Sequence, residues 1–227
     1  MQRYTKEKQY QSTVQLSDTL GQEKLGLMTN KVWYDDPIRL GFVLARYKFV
    51  AKMLDGYNKV IEIGCADAFG SRIVSQFVNN LTLLDFDEVF INDVKKRENN
   101  KWKCNCILHD ILKSPIPSKE KFDAAYSIDV LEHISLKDED LYISNIVKSL
   151  NKNGVLIVGT PSIYSQSYAS PASKKGHVNC KNNHELKSLL KKYFHNVFMF
   201  SMNDEVLHTG FAQMSHYYFA LASSQKV

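Results

Sequence analysis

The sequence predicts an α/β fold in which short apolar strands alternate with helices around a mostly parallel sheet. Three observations carry that expectation. Residues 59–78 read as strand, glycine turn and helix. Val60, Ile61 and Ile63 are β-branched and apolar, Gly64 ends the run, and Ile73, Val74, Phe77 and Val78 resume at helical spacing. Further apolar runs suited to buried strands recur at 81–84, 124–128 and 154–158, with polar or helix-patterned segments between them. Finally, 227 residues with 44% hydrophobic content suffice for one such domain with a substantial core.

Composition excludes several function classes. The net charge of +5 is mild, and the longest basic cluster, Lys95-Lys96-Arg97, is followed at once by Glu98. Solvated helix faces account for it, and no nucleic-acid footprint is expected. The modest positive field favours an anionic substrate. The four cysteines form neither a zinc knuckle nor a redox pair, which predicts reduced thiols and a cytoplasmic location. No run of about 18 apolar residues exists, so no membrane span is expected.

Residues 1–36 are polar with a weak helical tendency and read as an N-terminal arm or lid; the main domain is expected over 37–227. Trp33, Tyr34, Asp35, Asp36 and Arg39 cluster around Pro37. A helix is expected over 37–54, with Pro37 in its first turn, Asp35 or Asp36 as its cap, and Val43, Leu44, Tyr47, Val50 and Leu54 on one face. Trp33 and Tyr34 are candidates to stack on a substrate, and Arg39 to fork a phosphate or carboxylate.

The turn after the first strand carries Glu62 and Asp67. Acids there repel a pyrophosphate and suit a cation, which points from a dinucleotide towards S-adenosylmethionine. The stretch Glu62-Ile63-Gly64-Cys65-Ala66-Asp67-Ala68 resembles the first motif of class I S-adenosylmethionine-dependent methyltransferases, E/D-x-G-x-G-x-G. It departs from that motif at Ala66 and Ala68, since alanine does not accept positive φ as glycine does. The resemblance implies a Rossmann-like three-layer sandwich with a seven-stranded sheet whose terminal strand is antiparallel. It also implies that Glu62, Gly64, Cys65, Asp67 and Phe69 hold the cofactor. Asp85, at the end of the second strand, matches the acid that binds ribose hydroxyls, with Asp87 the alternative register and Phe86 against the adenine. Asp110, with Ile111 beside it, matches the acid that contacts the adenine amino group.

Residues 122–134, FDAAYSIDVLEHI, resemble the fourth strand and turn of small-molecule methyltransferases and add Ser127, Ile128 and Asp129 to the expected cofactor set. His133 is either a packed histidine or a proton acceptor. Enzymes that methylate DNA bases carry (N/D)-P-P-(Y/F) here, which this sequence lacks. A helix over 141–150 is expected to end in a turn with Gly154 left-handed, followed by a fifth strand. The polar loop 162–179 ends in Gly176-His177-Val178-Asn179, where the resemblance makes His177 a base or substrate ligand and Asn179 its neighbour. Asn183 is expected to cap a helix, NVFMFS to form a sixth strand, and 215–222 the last. Between them Asn203, Asp204, Glu205 and His208 crowd together at a spacing that fits no zinc pattern, and no metal is expected.

Those motifs imply methyl transfer from S-adenosylmethionine, leaving S-adenosylhomocysteine. The candidate catalytic residues are His177, His133 and His208; Trp33, Tyr34, Arg39, Asn179 and Glu205 are the candidate acceptor-binding residues. EIGCADAFGSRIV, YASPASKKGHVNC and FSMNDEVLHTGF resemble methyltransferases encoded with bacterial surface-polysaccharide genes, the Campylobacter enzymes for capsular O-methyl phosphoramidate among them. The expected acceptor is a small phosphorylated or nucleotide- or sugar-linked molecule; a homodimer or paired methyltransferase is the expected assembly. An N-methyltransferase on an amino sugar and a non-catalytic cofactor-binding partner remain as alternatives. A nicotinamide oxidoreductase is disfavoured by Asp67 and the missing glycines.

Overall fold

A computed structural model describes residues 3–226. Eight strands make one sheet in the order β3-β2-β1-β4-β5-β8-β6-β7. The parallel part comprises β1 (Lys59–Ile63), β2 (Asn80–Asp85), β3 (Asn105–Leu108), β4 (Phe122–Ile128) and β5 (Leu150–Pro161). β8 (Tyr217–Gln225) runs antiparallel to both β5 and β6 (Phe194–Asn203). The strand order reverses between β1 and β4, which makes the carboxyl ends of those strands the expected ligand crevice.

Alternation along the strands divides the core. Ile61, Ile63, Leu84, Ala125 and Leu156 pack against Tyr142, Ile143 and Ile146 of α6 (Glu139–Ser149) and Leu186, Leu189 and Leu190 of α8 (Asn183–Lys191). Val60, Ala124, Tyr126 and Ile157 pack against Tyr47, Val50, Ala51 and Leu54 of α3 (Ile38–Met53) and Val74 of α4 (Ser71–Val74). Successive residues facing opposite layers is the period-2 geometry of a strand buried on both sides.

The eighth strand is the main departure from the expected seven. β7 (Val206–His208) folds back on β6, pairing Asn203 with Val206 and Ser201 with His208. Asp204 makes the turn at φ 49°, a conformation aspartate tolerates better than most residues. Polar composition hid a hairpin that sits at the sheet edge.

Local differences have local causes. The helix expected over 69–78 is only Ser71–Val74, because Ser75 Oγ donates to the Arg72 carbonyl and Phe77 N–H closes back on Val74. Gly154 is not left-handed: 150–161 is one continuous strand, with a register irregularity between Phe122 and Ala124 of β4. Asn182, not Asn183, caps α8, in a capping box with Glu185. Neither Asp35 nor Asp36 caps α3, whose N-cap is Pro37; Asp35 ends the preceding helix α2 (Leu27–Asp35). Most of loop 162–179 is ordered as a 3₁₀ helix (Ile163–Tyr168) and α7 (Pro171–Gly176), capped by Ser162 and Ser170. The arm contains α1 (Gln11–Leu20) and α2. α5 (Glu88–Lys96) closes a smaller cluster with Leu83 and Cys65.

Candidate functional site

The turn leaving β1 is held in a conformation written for glycine. Gly64, Ala66 and Ala68 have φ of 76°, 44° and 51°. A Cβ on Gly64 would lie 2.5 Å from Val130, so that position needs glycine for space as well as for φ. The two alanines accept the strain of the left-handed region, about 1–2 kcal/mol for each residue with a Cβ. Neighbouring bonds enforce it. Gly64 and Cys65 N–H donate to the Leu84 carbonyl, and Ala66 N–H donates to Asp85 Oδ2 at 2.9 Å. Asp85 Oδ1 accepts from Asp87 N–H, so the carboxylate at the end of β2 pins the turn and stays an acceptor.

Asp67 faces the arm. Its buried carboxylate accepts the Thr29 N–H at 2.6 Å and the Phe69 N–H at 3.2 Å, and a Cβ on Gly26 would collide with it at 2.5 Å. Arg97 donates to its carbonyl. Glu62 is wholly buried and receives three hydroxyls: Tyr47 at 2.8 Å, Tyr126 at 2.7 Å, and Ser71. Burial pushes its pKa up to about 7 against the opposing pull of those hydrogen bonds. Glu62 and Asp67 therefore build the turn from behind, with side chains committed to protein partners. Cys65 is buried too, and burial raises its thiol pKa.

At the end of β4, Ser127 bonds Tyr142 at 2.6 Å and Ile128 is buried in the core, so their side chains point into the protein. Asp129 turns outward at φ 57° and is gripped by Arg46 of α3. The guanidinium lies 3.8 Å from the centre of the Tyr217 ring, and its Nε is buried without a partner. Burial opposes its charge, and Asp129, Tyr217 and Glu132 together outweigh that and hold its pKa above the usual value. Glu132 is 1% exposed. Its Oε2 accepts from Thr160 at 3.1 Å and its Oε1 has no partner. Burial, then the Asp129 charge, lifts its pKa to about 8.

An open cleft of about 940 Å³ lies beside these strand ends, lined by Arg39, Arg46, Tyr164, Tyr168, His177 and His216 among others. His177 Nδ1 meets Gln166 Oε1 at 2.8 Å, and burial lowers its pKa, so the ring is neutral at pH 7. His133 stands 5.1 Å away, its Nδ1 2.9 Å from the Gly176 carbonyl.

The expected acceptor residues are not gathered in this cleft. Arg39 lines it, while Trp33 and Tyr34 are exposed on α2. Asn179 is buried against Glu139, and Glu205 sits in the β6–β7 turn by a separate groove along α3. His208 spends both ring nitrogens inside its hairpin, on Asn203 and on Gly210 N–H. Asp110 caps the Leu112 N–H beyond β3, and the Ile111 carbonyl is taken by Asn145. Phe86 is 73% exposed next to Asp85. Arg46, Tyr217 and Glu132 were not singled out by sequence. Arg46 had a signal: it stands three residues after Val43 and four before Val50, on the apolar face of α3.

Residues 61–158 match the family model described as "Methyltransferase domain". That stretch, less than half of the chain, is similar to a methyltransferase domain. A probable S-adenosylmethionine-dependent methyltransferase of Mycolicibacterium smegmatis is 27% identical over 104 residues, 45% of this chain and 38% of that one. The match thus spans little more than a third of that relative's length. Among solved structures, the N-methyltransferase NodS of Bradyrhizobium japonicum with S-adenosyl-L-homocysteine superposes with TM-score 0.62 and 19% identity, covering 85% of this chain and 90% of NodS. The plantazolicin methyltransferase BpumL, also with that ligand, gives TM-score 0.62 and 12% identity over 86% of this chain and 93% of BpumL. These likenesses establish the fold.

The donor set at these strand ends fits S-adenosylmethionine. The strand ends offer acids for hydroxyls and an amino group and an exposed aromatic face, and the guanidinium that reaches the turn, that of Arg97, is spent on the Asp67 carbonyl and on Asp93. Asp85, Phe86, Asp110 and the backbone of the 64–68 turn are the groups that could hold it.

Proposed function

We propose that the protein is an S-adenosylmethionine-dependent O-methyltransferase acting on a small anionic or sugar-linked acceptor of bacterial capsule or surface-polysaccharide synthesis, phosphoramidate oxygen included. The observation that carries this reading is the cleft beside the ends of β4 and β5, with Arg39 and Arg46 on its wall and a neutral histidine beside them. When bound, the cofactor supplies an electrophilic methyl group. The chain's own residues do the rest. Asp85 would hold ribose hydroxyls, Phe86 would cover the adenine, and Asp110 would take the adenine amino group. Arg39 would fork the acceptor's anionic group. Holding two reactants aligned is worth up to roughly 7–11 kcal/mol in favourable intramolecular cases. An anionic oxygen needs positioning and no base; a sugar hydroxyl would lose its proton to His177 Nε2, worth about 10²–10⁴-fold.

The neutral His177 equally suits an amine acceptor, which must be deprotonated to attack; an N-methyltransferase on an amino sugar is the second reading. A homodimer or a paired methyltransferase is proposed as the working assembly. The test is a methyl-transfer assay by mass spectrometry with phosphorylated sugars, phosphoramidates, nucleotide sugars and amino sugars. Methylation of an anionic oxygen supports the first reading, methylation of nitrogen the second. No S-adenosylhomocysteine binding by the purified chain would overturn both.

A further inference from the structure

No metal is expected from the spacing of 203–208, and Glu132, His133 and His177 lie forty-odd residues apart in sequence. Folding brings them together. One potential ligand atom from each lies within 4.8 Å of the other two, so side-chain shifts of about 1 Å would bring them to the roughly 3.4 Å spacing of donors on one ion. We propose that Glu132, His133 and His177 form a binding site for a divalent transition-metal ion on the wall of the acceptor cleft.

Three further observations support the site. Glu132 is 1% exposed and its Oε1 has no hydrogen-bond partner. An unpartnered buried carboxylate oxygen is costly, and a cation is the partner that satisfies it best. Both imidazoles are oriented as ligands by outer bonds. His133 Nδ1–H can only donate to the Gly176 carbonyl, and His177 Nδ1–H donates to the Gln166 amide oxygen. Those bonds fix the tautomer that leaves each Nε2 lone pair free, the arrangement usual around histidine ligands. Finally, the Glu132 carbonyl accepts the Val178 and Asn179 N–H groups at 2.8 and 3.0 Å, which fastens the segment bearing His177 to the segment bearing the other two.

Two imidazoles and one carboxylate select the class of ion. Nitrogen donors favour Mn²⁺, Fe²⁺, Co²⁺, Ni²⁺ or Zn²⁺ over Mg²⁺ and Ca²⁺, which prefer all-oxygen sets. Three protein ligands leave positions open, as in catalytic rather than structural sites. His177 belongs both to the cluster and to the cleft lining, so an acceptor oxygen could take one of them. That last role rests on the methyltransferase reading, and with an ion bound the His177 Nε2 lone pair is spent on it, so the ion takes the place of His177 as base by lowering the pKa of a coordinated hydroxyl; the site itself does not rest on that reading.

The test is a titration of the purified, chelator-treated full chain with Co²⁺, read by visible absorption, with Mn²⁺, Zn²⁺ and Mg²⁺ in calorimetric competition. The expected result is one Co²⁺ per chain, displaced by Zn²⁺ and not by Mg²⁺. His133→Ala and His177→Ala should each weaken binding about tenfold or more, and Gln166→Ala, which frees the His177 ring, by about tenfold. Each variant is titrated with S-adenosylhomocysteine as a fold control. The absence of saturable Co²⁺ binding overturns the proposal, as does binding unchanged in both histidine variants or displacement by Mg²⁺. A chain that binds S-adenosylhomocysteine but no Co²⁺ sinks the metal site and leaves the methyltransferase reading standing; Co²⁺ binding without S-adenosylhomocysteine binding does the reverse.

Discussion

One nitrogen of Arg46 reaches both carboxylate oxygens of Asp129, at 2.9 and 2.7 Å, across 83 positions of sequence. The pair ties α3 to the end of β4 just where Asp129 turns into the left-handed region. Tyr217 floors it from the antiparallel half of the sheet.

Replacing Arg46 should therefore loosen three elements together. The side chains are 17% and 33% exposed, between a surface pair and a buried one. Arg46→Met is expected to lower stability by about 1–3 kcal/mol, less than the loss from a fully buried pair. Urea denaturation measures it, and an unchanged midpoint would remove the pair from the account of stability.

The alanines at positive φ invite a second substitution. Ala66→Gly and Ala68→Gly relieve about 1–2 kcal/mol of strain each and give back about 0.4–1 kcal/mol of unfolded-chain entropy. Each variant should melt at the same temperature as the parent or slightly above it. A clear loss of stability would mean that the turn is not strained.

Glu62 predicts a dependence on pH. Its folded pKa is raised to about 7 from an ordinary value near 4.3, so the folded state holds a proton that the unfolded state releases. That stability is complete below the ordinary value and is lost as pH rises through about 7, on the order of 3 kcal/mol over the window at 1.36 kcal/mol per unit. Glu132, lifted to about 8, adds a fall in the same direction. Glu62→Gln should flatten the curve and be the more stable protein at pH 8. Parallel pH profiles for the two proteins would count against it.

Arg39 is exposed on the cleft wall, and among the described residues its side chain has no hydrogen bond or ion pair whose loss would confound its removal. On the proposed reading, Arg39→Ala raises KM for an anionic acceptor about tenfold with little change in kcat, the signature of lost uniform binding. Steady-state kinetics with a neutral acceptor as control decides it, because an equal rise there points to misfolding of the wall.

The parallel sheet was legible because its strands are short, predominantly apolar runs: Val60 to Ile63 is broken only by Glu62, and Ala124 to Ile128 only by Ser127. The positions of Asp85 and Asp129 followed from strand ends. Side-chain commitments were not legible. Nothing local tells that Glu62 meets Tyr47 and Tyr126, or that Asn179 is spent on Glu139, since those partners lie 15 to 64 positions away. His208 looked chemical in a polar stretch because a two-stranded turn at a sheet edge has the same composition as a binding loop. Glu132 and His177 could be joined only through backbone bonds that no periodicity encodes.

The bond from Thr29 N–H to Asp67 gives the N-terminal arm a stake in occupancy of the turn. On the proposed reading, a ligand that stiffens residues 64–68 would also tighten residues 26–29, and by reciprocity an arm held elsewhere would weaken grip on that ligand by the same factor. A tag or fusion placed ahead of α2 is then a ligand-affinity reagent as much as a handle. Protease nicking in the Gly21–Gly26 stretch becomes a gauge of how full the turn is.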